Sequence, residues 1–124
     1  MRVLIVDDDA MYRALVVEAL RYEGTELGEA NSPASALRLL NSDSEFDVIL
    51  CDLQMNGLDG LELLKTLRIQ YPQIPVVVTS AYSSEGGIGE LALRHAAYYL
   101  AKPFSIKKLL DVIQNVAHLR YDRA

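Results

Sequence analysis

Short apolar runs alternate along the chain with longer stretches whose apolar positions recur every three or four residues, a pattern that predicts strands and helices in turn. Val3-Leu4-Ile5-Val6, Val48-Ile49-Leu50-Cys51, Val76-Val77-Val78-Thr79-Ser80 and Tyr98-Tyr99-Leu100-Ala101 read as strands, with a weaker candidate over Thr25 to Ala30. The run around Ile49 has no polar interruption, as expected of a strand buried on both faces. Helices are predicted from Ala10 to about Tyr22, with Leu15, Val16, Ala19 and Leu20 on one side, and from Ser32-Pro33 onward, with Ala36, Leu37 and Leu40 inward. A third runs from Gly60 to Gln70 on Leu61, Leu64 and Leu67, and a fourth from Ser83 to His95. The last runs from Ser105 to about Leu119 on Leu109, Val112, Ile113 and Val116. Gly86, Gly87 and Gly89 each cost the fourth helix about 1 kcal/mol relative to alanine, so its first turns should fray.

Five strand-helix repeats call for a parallel sheet with helices on both faces, and right-handed crossovers leave few topologies. The expected fold is α/β, a flavodoxin-like doubly wound (βα)5 with a five-stranded parallel sheet in the order 2-1-3-4-5. With 124 residues, 51% of them hydrophobic, one domain spanning 1–124 is expected. No apolar run is long enough to span a bilayer, which points to a soluble, cytoplasmic protein without a membrane partner. The net charge of -5 leaves no basic footprint for a phosphate backbone, so direct nucleic-acid binding by this domain is not expected. Cys51, the single cysteine, reads as a small buried hydrophobe.

In an open parallel sheet, ligands bind outside the carboxyl ends of the strands, where the winding reverses. The first strand ends in Asp7-Asp8-Asp9 and the third in Asp52, and the predicted order makes these strands neighbours. Ser80 and Lys102 end the fourth and fifth. Clustered carboxylates repel one another, and a divalent cation relieves that repulsion. Hard oxygen ligands without histidine or thiolate select Mg2+, or Mn2+, over zinc. An ionised Asp52 could then attack phosphorus, with Lys102 and Ser80 meeting the phosphoryl oxygens, because phosphoryl transfer needs chiefly positioning and charge stabilisation.

These residues resemble the response-regulator receiver domains of two-component phosphorelays over essentially the whole chain. Val3 to Asp9 is similar to that family's opening strand and acidic pair, with Asp7 and Asp8 at the metal-binding positions. Asp52, followed by Met55 and Gly57, matches the phosphoacceptor motif, Ser80-Ala81 the hydroxyl and small residue, Tyr99 the switch aromatic, and Lys102-Pro103-Phe104 the lysine-proline motif. The resemblance implies a phosphoprotein of signal transduction, not an enzyme, that takes a phosphoryl group from a histidine kinase or phosphotransfer protein and loses it by hydrolysis. It further implies that the Gln54 backbone carbonyl is a metal ligand and that Lys102-Pro103 is cis.

The expected switch draws Ser80 inward, moves Tyr99 into the vacated space and alters the face formed by the fourth helix, fifth strand and fifth helix. The partners implied are a downstream output domain or protein, and a homodimer through that face is compatible with the reading. Asn56 departs from the usual proline, which exposes metal affinity to change; His95 replaces a glycine, and Ala97-Tyr98 a frequently acidic pair. Gln54 and Tyr82 occupy positions that in the family tune the phosphoryl lifetime. Asp9 reads as a helix-start acid, Asp59 as a cap, and His95, His118 and Lys107-Lys108 as solvated.

Three other classes fit less well. A magnesium-dependent phosphohydrolase of the haloacid-dehalogenase kind would use Asp7 and Asp9, but Met11 stands where Thr or Val is preferred. A phosphorylation-independent binding module would not need the full charged set. A flavin-binding flavodoxin lacks its phosphate loop after the first strand.

Overall fold

The computed structural model describes residues 1–55, 58–81 and 87–120, with residues 58 and 59 described through the backbone alone. Five parallel strands form the sheet: β1 (Arg2–Val6), β2 (Glu26–Ala30), β3 (Val48–Asp52), β4 (Val76–Ser80) and β5 (Tyr98–Ala101). Their order is β2-β1-β3-β4-β5, the one expected from the sequence. Register places Val6 beside Cys51, Asp52 beside Thr79 and Ser80 beside Ala101. The strand ends therefore line up along one edge. The helices are α1 (Ala10–Tyr22), α2 (Pro33–Ser42), α3 (Gly60–Gln70), α4 (Gly87–Leu93) and α5 (Ile106–Ala117).

The alternation of side chains along each strand sorts the core into two layers. Leu4, Val6, Ile49, Cys51, Val76 and Val78 pack with residues of α2, α3 and α4. Val3, Ile5, Val48, Leu50, Val77 and Leu100 pack with α1 and α5. Each fully buried aliphatic side chain contributes about 2 kcal/mol, and the strands are covered on both faces as their uninterrupted apolar runs require. Tyr98 and Tyr99 divide between the two layers in the same way, Tyr99 on the α3–α4 side.

Local signals start and stop the helices. Asp9 is the N-cap of α1, its Oδ1 accepting from the backbone N–H groups of Met11 (3.0 Å) and Tyr12 (3.1 Å). Ser32 and Ser35 form a capping box on α2, and Ser105 caps α5. Past α1, Gly24 takes φ +80, a left-handed conformation that costs glycine nothing, and its N–H closes on the Arg21 carbonyl.

Several expectations need correcting. Leu15 is exposed, and the inward side of α1 is Val16, Val17 and Leu20, because the stripe facing the sheet is narrower than the apolar run. The described part of α4 covers Gly87–Leu93, with turns at Arg94 and His95; Ser83 to Gly86 lie outside the described residues. His95 is half-buried in a hollow with Arg68, Pro75 and Arg94. His118 is exposed, as are Lys107 and Lys108, although the Lys108 ammonium lies 5.5 Å from the centroid of the Tyr98 ring. Two short strands that periodicity did not announce, Gln54–Met55 and Leu58–Asp59, pair antiparallel after β3. The cap expected of Asp59 rests on a side chain outside the description. Past α5, Arg120 is buried, donates to the Phe46 and Ser44 carbonyls and reaches Glu45, tying the chain to the start of β3. No helix among the described residues is long and apolar enough to cross a membrane.

Candidate functional site

Period-two alternation explains why three charged side chains converge. Asp52 continues the parity of Val48 and Leu50, Asp7 that of Val3 and Ile5, and Lys102 that of Tyr98 and Leu100. All three therefore fall on the α1–α5 side at the carboxyl edge. One carboxylate oxygen from each of Asp7, Asp8 and Asp52 lies within 4.8 Å of the others. That spacing suits a hard divalent cation with oxygen ligands at 2.0–2.6 Å. Lys102 Nζ lies 3.4 Å from Asp52 Oδ2 and 3.8 Å from Asp7 Oδ2.

The two buried carboxylates are held alike. Asp52 Oδ1 accepts from the Gln54 N–H at 3.0 Å, and Asp7 Oδ1 accepts from the Asp9 N–H at 2.9 Å. Each keeps Oδ2 turned toward Lys102. Asp7 and Asp52 are each only 4% exposed, whereas Asp8 is half-buried. Burial pushes the Asp7 carboxyl up to about 6; the Asp9 N–H opposes that shift, the Asp52 charge adds to it, and Lys102 counters it. Burial, followed by the charges of Asp52 and Asp7, pushes the Cys51 thiol up to about 12, which keeps it protonated and unreactive.

The hydroxyl comes from the opposite face. Ser80 shares parity with Val76 and Val78, and its Oγ lies 3.5 Å from Gln54 Oε1. The same carboxamide oxygen accepts from the Ala81 N–H at 3.0 Å. Gln54 thus spans from the turn after Asp52 to the end of β4, a side-chain role that residue type alone did not reveal. The Lys102-Pro103 peptide is cis, as the family resemblance implied. Tyr12 was also missed: its ring centroid lies 4.2 Å from Lys102 Nζ and 5.8 Å from that of Phe104, the two rings edge to face at 87°. Its place one turn after Asp9 was the available signal. Asn56, Gly57 and Tyr82 lie outside the described residues.

Close approach, more than turn freedom, governs Gly60. A Cβ there would stand 2.3 Å from the Asp52 carbonyl oxygen and 2.8 Å from Leu53 Cα, and the Gly60 N–H donates to the Leu53 carbonyl at 2.6 Å. The start of α3 is pressed directly onto the backbone that carries Asp52.

A doubly wound parallel sheet whose carboxyl edge gathers three carboxylates and a lysine defines a CheY-like α/β domain. The chain belongs to the response regulator receiver domain family, which it matches over residues 3–114. It is 35% identical over 112 residues to the response regulator protein FleR of Pseudomonas aeruginosa, covering 90% of this chain and 24% of that protein. The receiver domain of NtrX from Brucella abortus superposes with a TM-score of 0.85 at 31% identity, covering 94% of this chain and 98% of that one. The response regulator TrrA of Thermotoga maritima, solved in complex with Mg2+-BeF, superposes with a TM-score of 0.80 at 28% identity, covering 93% of this chain and 97% of that one. The chain spans about a quarter of the length of the curated relatives it matches. It is a receiver domain of two-component signalling.

Proposed function

We propose that Asp52 accepts a phosphoryl group from a histidine kinase or phosphotransfer protein, and that residues 1–124 act as one receiver unit. The arrangement of the Asp52 carboxylate carries this reading: Oδ1 is pinned by Gln54, and Oδ2 faces Lys102 beside Asp7. An Asp52 oxygen attacks phosphorus as the phosphorus–nitrogen bond of a phosphohistidine breaks, its electron pair returning to the imidazole. Hydrolysis reverses the gain, with a water oxygen attacking phosphorus and the phosphorus–oxygen bond to Asp52 breaking.

Asp7, Asp8 and Asp52, with the backbone carbonyl of Gln54, would hold Mg2+ or Mn2+; their hard oxygens and mutual repulsion fit such an ion. That ion supplies charge neutralisation for the phosphoryl oxygens. Lys102 offers a second positive charge from the other side, and Ser80 donates a hydrogen bond. Ser80 and Tyr99 lie on one face of the sheet, so a shift of the Ser80 hydroxyl toward the phosphoryl group reaches Tyr99 within the same layer. The surface of α4, β5 and α5, where Leu91, Leu93 and Ile106 are exposed, would then change its preference for an output domain, a partner protein or a second copy.

Incubating the chain with a small phosphodonor tests this. With magnesium, intact-mass measurement should show the gain of one phosphoryl group; with a chelator in place of the metal, the gain should vanish. Equal labelling under both conditions would contradict the role given to the metal.

Asp7 supplies a separate test through pH. Its folded-state pKa is raised, so between the ordinary carboxylate range and about 6 the native state holds a proton that the unfolded chain has released. The metal-free domain should therefore lose stability as pH rises through that window. Magnesium should restore it most above pH 6, where no proton competes. Thermal melts at several pH values, with and without magnesium, check this; a restoring effect greatest at low pH would refute it.

A further inference from the structure

Lys102 meets a difficulty once the site is charged. Its ammonium is held by Oδ2 of Asp52 and of Asp7, two of the carboxylates grouped closely enough to hold a cation. A divalent ion entering that cluster takes up their negative charge and repels the ammonium. The lysine side chain is long and flexible, and 21% of its surface is exposed, so solvent offers it a way out.

The ring of Tyr12 offers an alternative hold. Lys102 Nζ lies 4.2 Å from its centroid, within the range in which an aromatic face attracts a cation through its quadrupole. The ring itself is fixed. It projects from the first turn of α1, and Phe104, two residues beyond Lys102, meets it edge to face with centroids 5.8 Å apart. Residues 102–104 therefore grip Tyr12 at two points. A π face carries no net charge and is a poor ligand for a hard ion, so a metal would not compete for it. Burial, followed by the charges of Asp7 and Asp52, pushes the phenol up to about 12, which keeps the ring neutral at working pH.

We propose that Tyr12 is a positioning residue: its ring face keeps the Lys102 ammonium at the carboxyl edge while a divalent cation occupies the carboxylates, so that the lysine is in place when a phosphoryl group arrives. The second half of this statement rests on the proposed phosphoryl chemistry, and the first does not.

The test compares the native chain with Tyr12→Phe and Tyr12→Leu. Ring-current shielding should move the ε-methylene protons of Lys102 upfield in the native protein and in Tyr12→Phe, and saturating magnesium should leave them there. In Tyr12→Leu they should return to the position of a solvated lysine on adding magnesium. Magnesium affinity itself should be unchanged or slightly higher in Tyr12→Leu, whereas affinity for beryllofluoride in the presence of magnesium should fall by about tenfold and be retained by Tyr12→Phe.

An unshielded Lys102 in the native chain, or a Tyr12→Phe variant as weak as Tyr12→Leu, would overturn the assignment. Circular dichroism of both variants separates a lost contact from a lost fold, and if Tyr12→Leu does not fold, loss of the Lys102 shielding on adding magnesium to the native chain or to Tyr12→Phe still overturns the assignment. A native chain with shielded Lys102 that binds no beryllofluoride would instead overturn the phosphoryl reading and leave the metal-dependent hold on Lys102 standing.

Discussion

Asp52→Asn should abolish donor-dependent phosphorylation, so that intact-mass measurement shows no phosphoryl gain under conditions where the native chain is labelled. Attack on phosphorus needs an anionic oxygen, and a carboxamide has no ionised form to supply one. The substitution is close to isosteric, and Asn can still accept from the Gln54 N–H through its carbonyl oxygen. Folding should therefore survive, which makes the loss a chemical one. The Coulombic push of Asp52 on Asp7 disappears as well, so the Asp7 carboxyl should titrate lower than about 6. Labelling of Asp52→Asn at the native level would place the acceptor elsewhere and defeat the proposed mechanism. Phosphate release from small esters by the native chain would instead favour the phosphohydrolase alternative.

Gly60→Ala should be the most damaging small substitution near the site, costing about 3 kcal/mol of stability and reducing the rate of phosphorylation. The added methyl would stand 2.3 Å from the Asp52 carbonyl oxygen, a contact with backbone that no rotamer change can relieve. Either α3 retreats from the sheet or the backbone after Asp52 moves, and the second response displaces the carboxylate. Gly24→Ala is the useful comparison. Its Cβ would meet nothing within 4 Å, so only the left-handed backbone is penalised, by about 1 kcal/mol. Urea unfolding of the two variants should separate packing from backbone conformation; equal midpoints would mean that the contact at residue 60 costs no more than the left-handed backbone at residue 24, against the expected difference.

Much of this molecule was legible from local pattern. The uninterrupted run Val48 to Cys51 announced a strand covered on both sides, and Asp9, Ser32 and Ser105 marked helix starts that the structure bears out. Pattern failed where the deciding contact is remote in sequence. Leu15 was placed inward because it is apolar and in phase, yet α1 meets the sheet along Val16, Val17 and Leu20. Arg120 gave no sign of burial, since its partners are the carbonyls of Ser44 and Phe46, more than seventy residues earlier. Gly60 stood in the sequence as the start of a helix, whereas its missing side chain makes room for the backbone of residues 52 and 53.

The sequence by itself determined the fold and the edge at which the chemistry gathers, because strand and helix periodicities are properties of neighbouring residues, and the parity of a strand decides the side on which its last residue emerges. Thus Asp7, Asp52 and Lys102 were bound to share one side once the strand order followed. What only the tertiary structure decided was how those groups meet: which oxygen of Asp52 faces the ammonium, that the Gln54 carboxamide bridges to Ala81, and that the ring of Tyr12 lies against Lys102. Such contacts depend on helix placement and rotamers selected by packing between distant segments, and no local pattern encodes them.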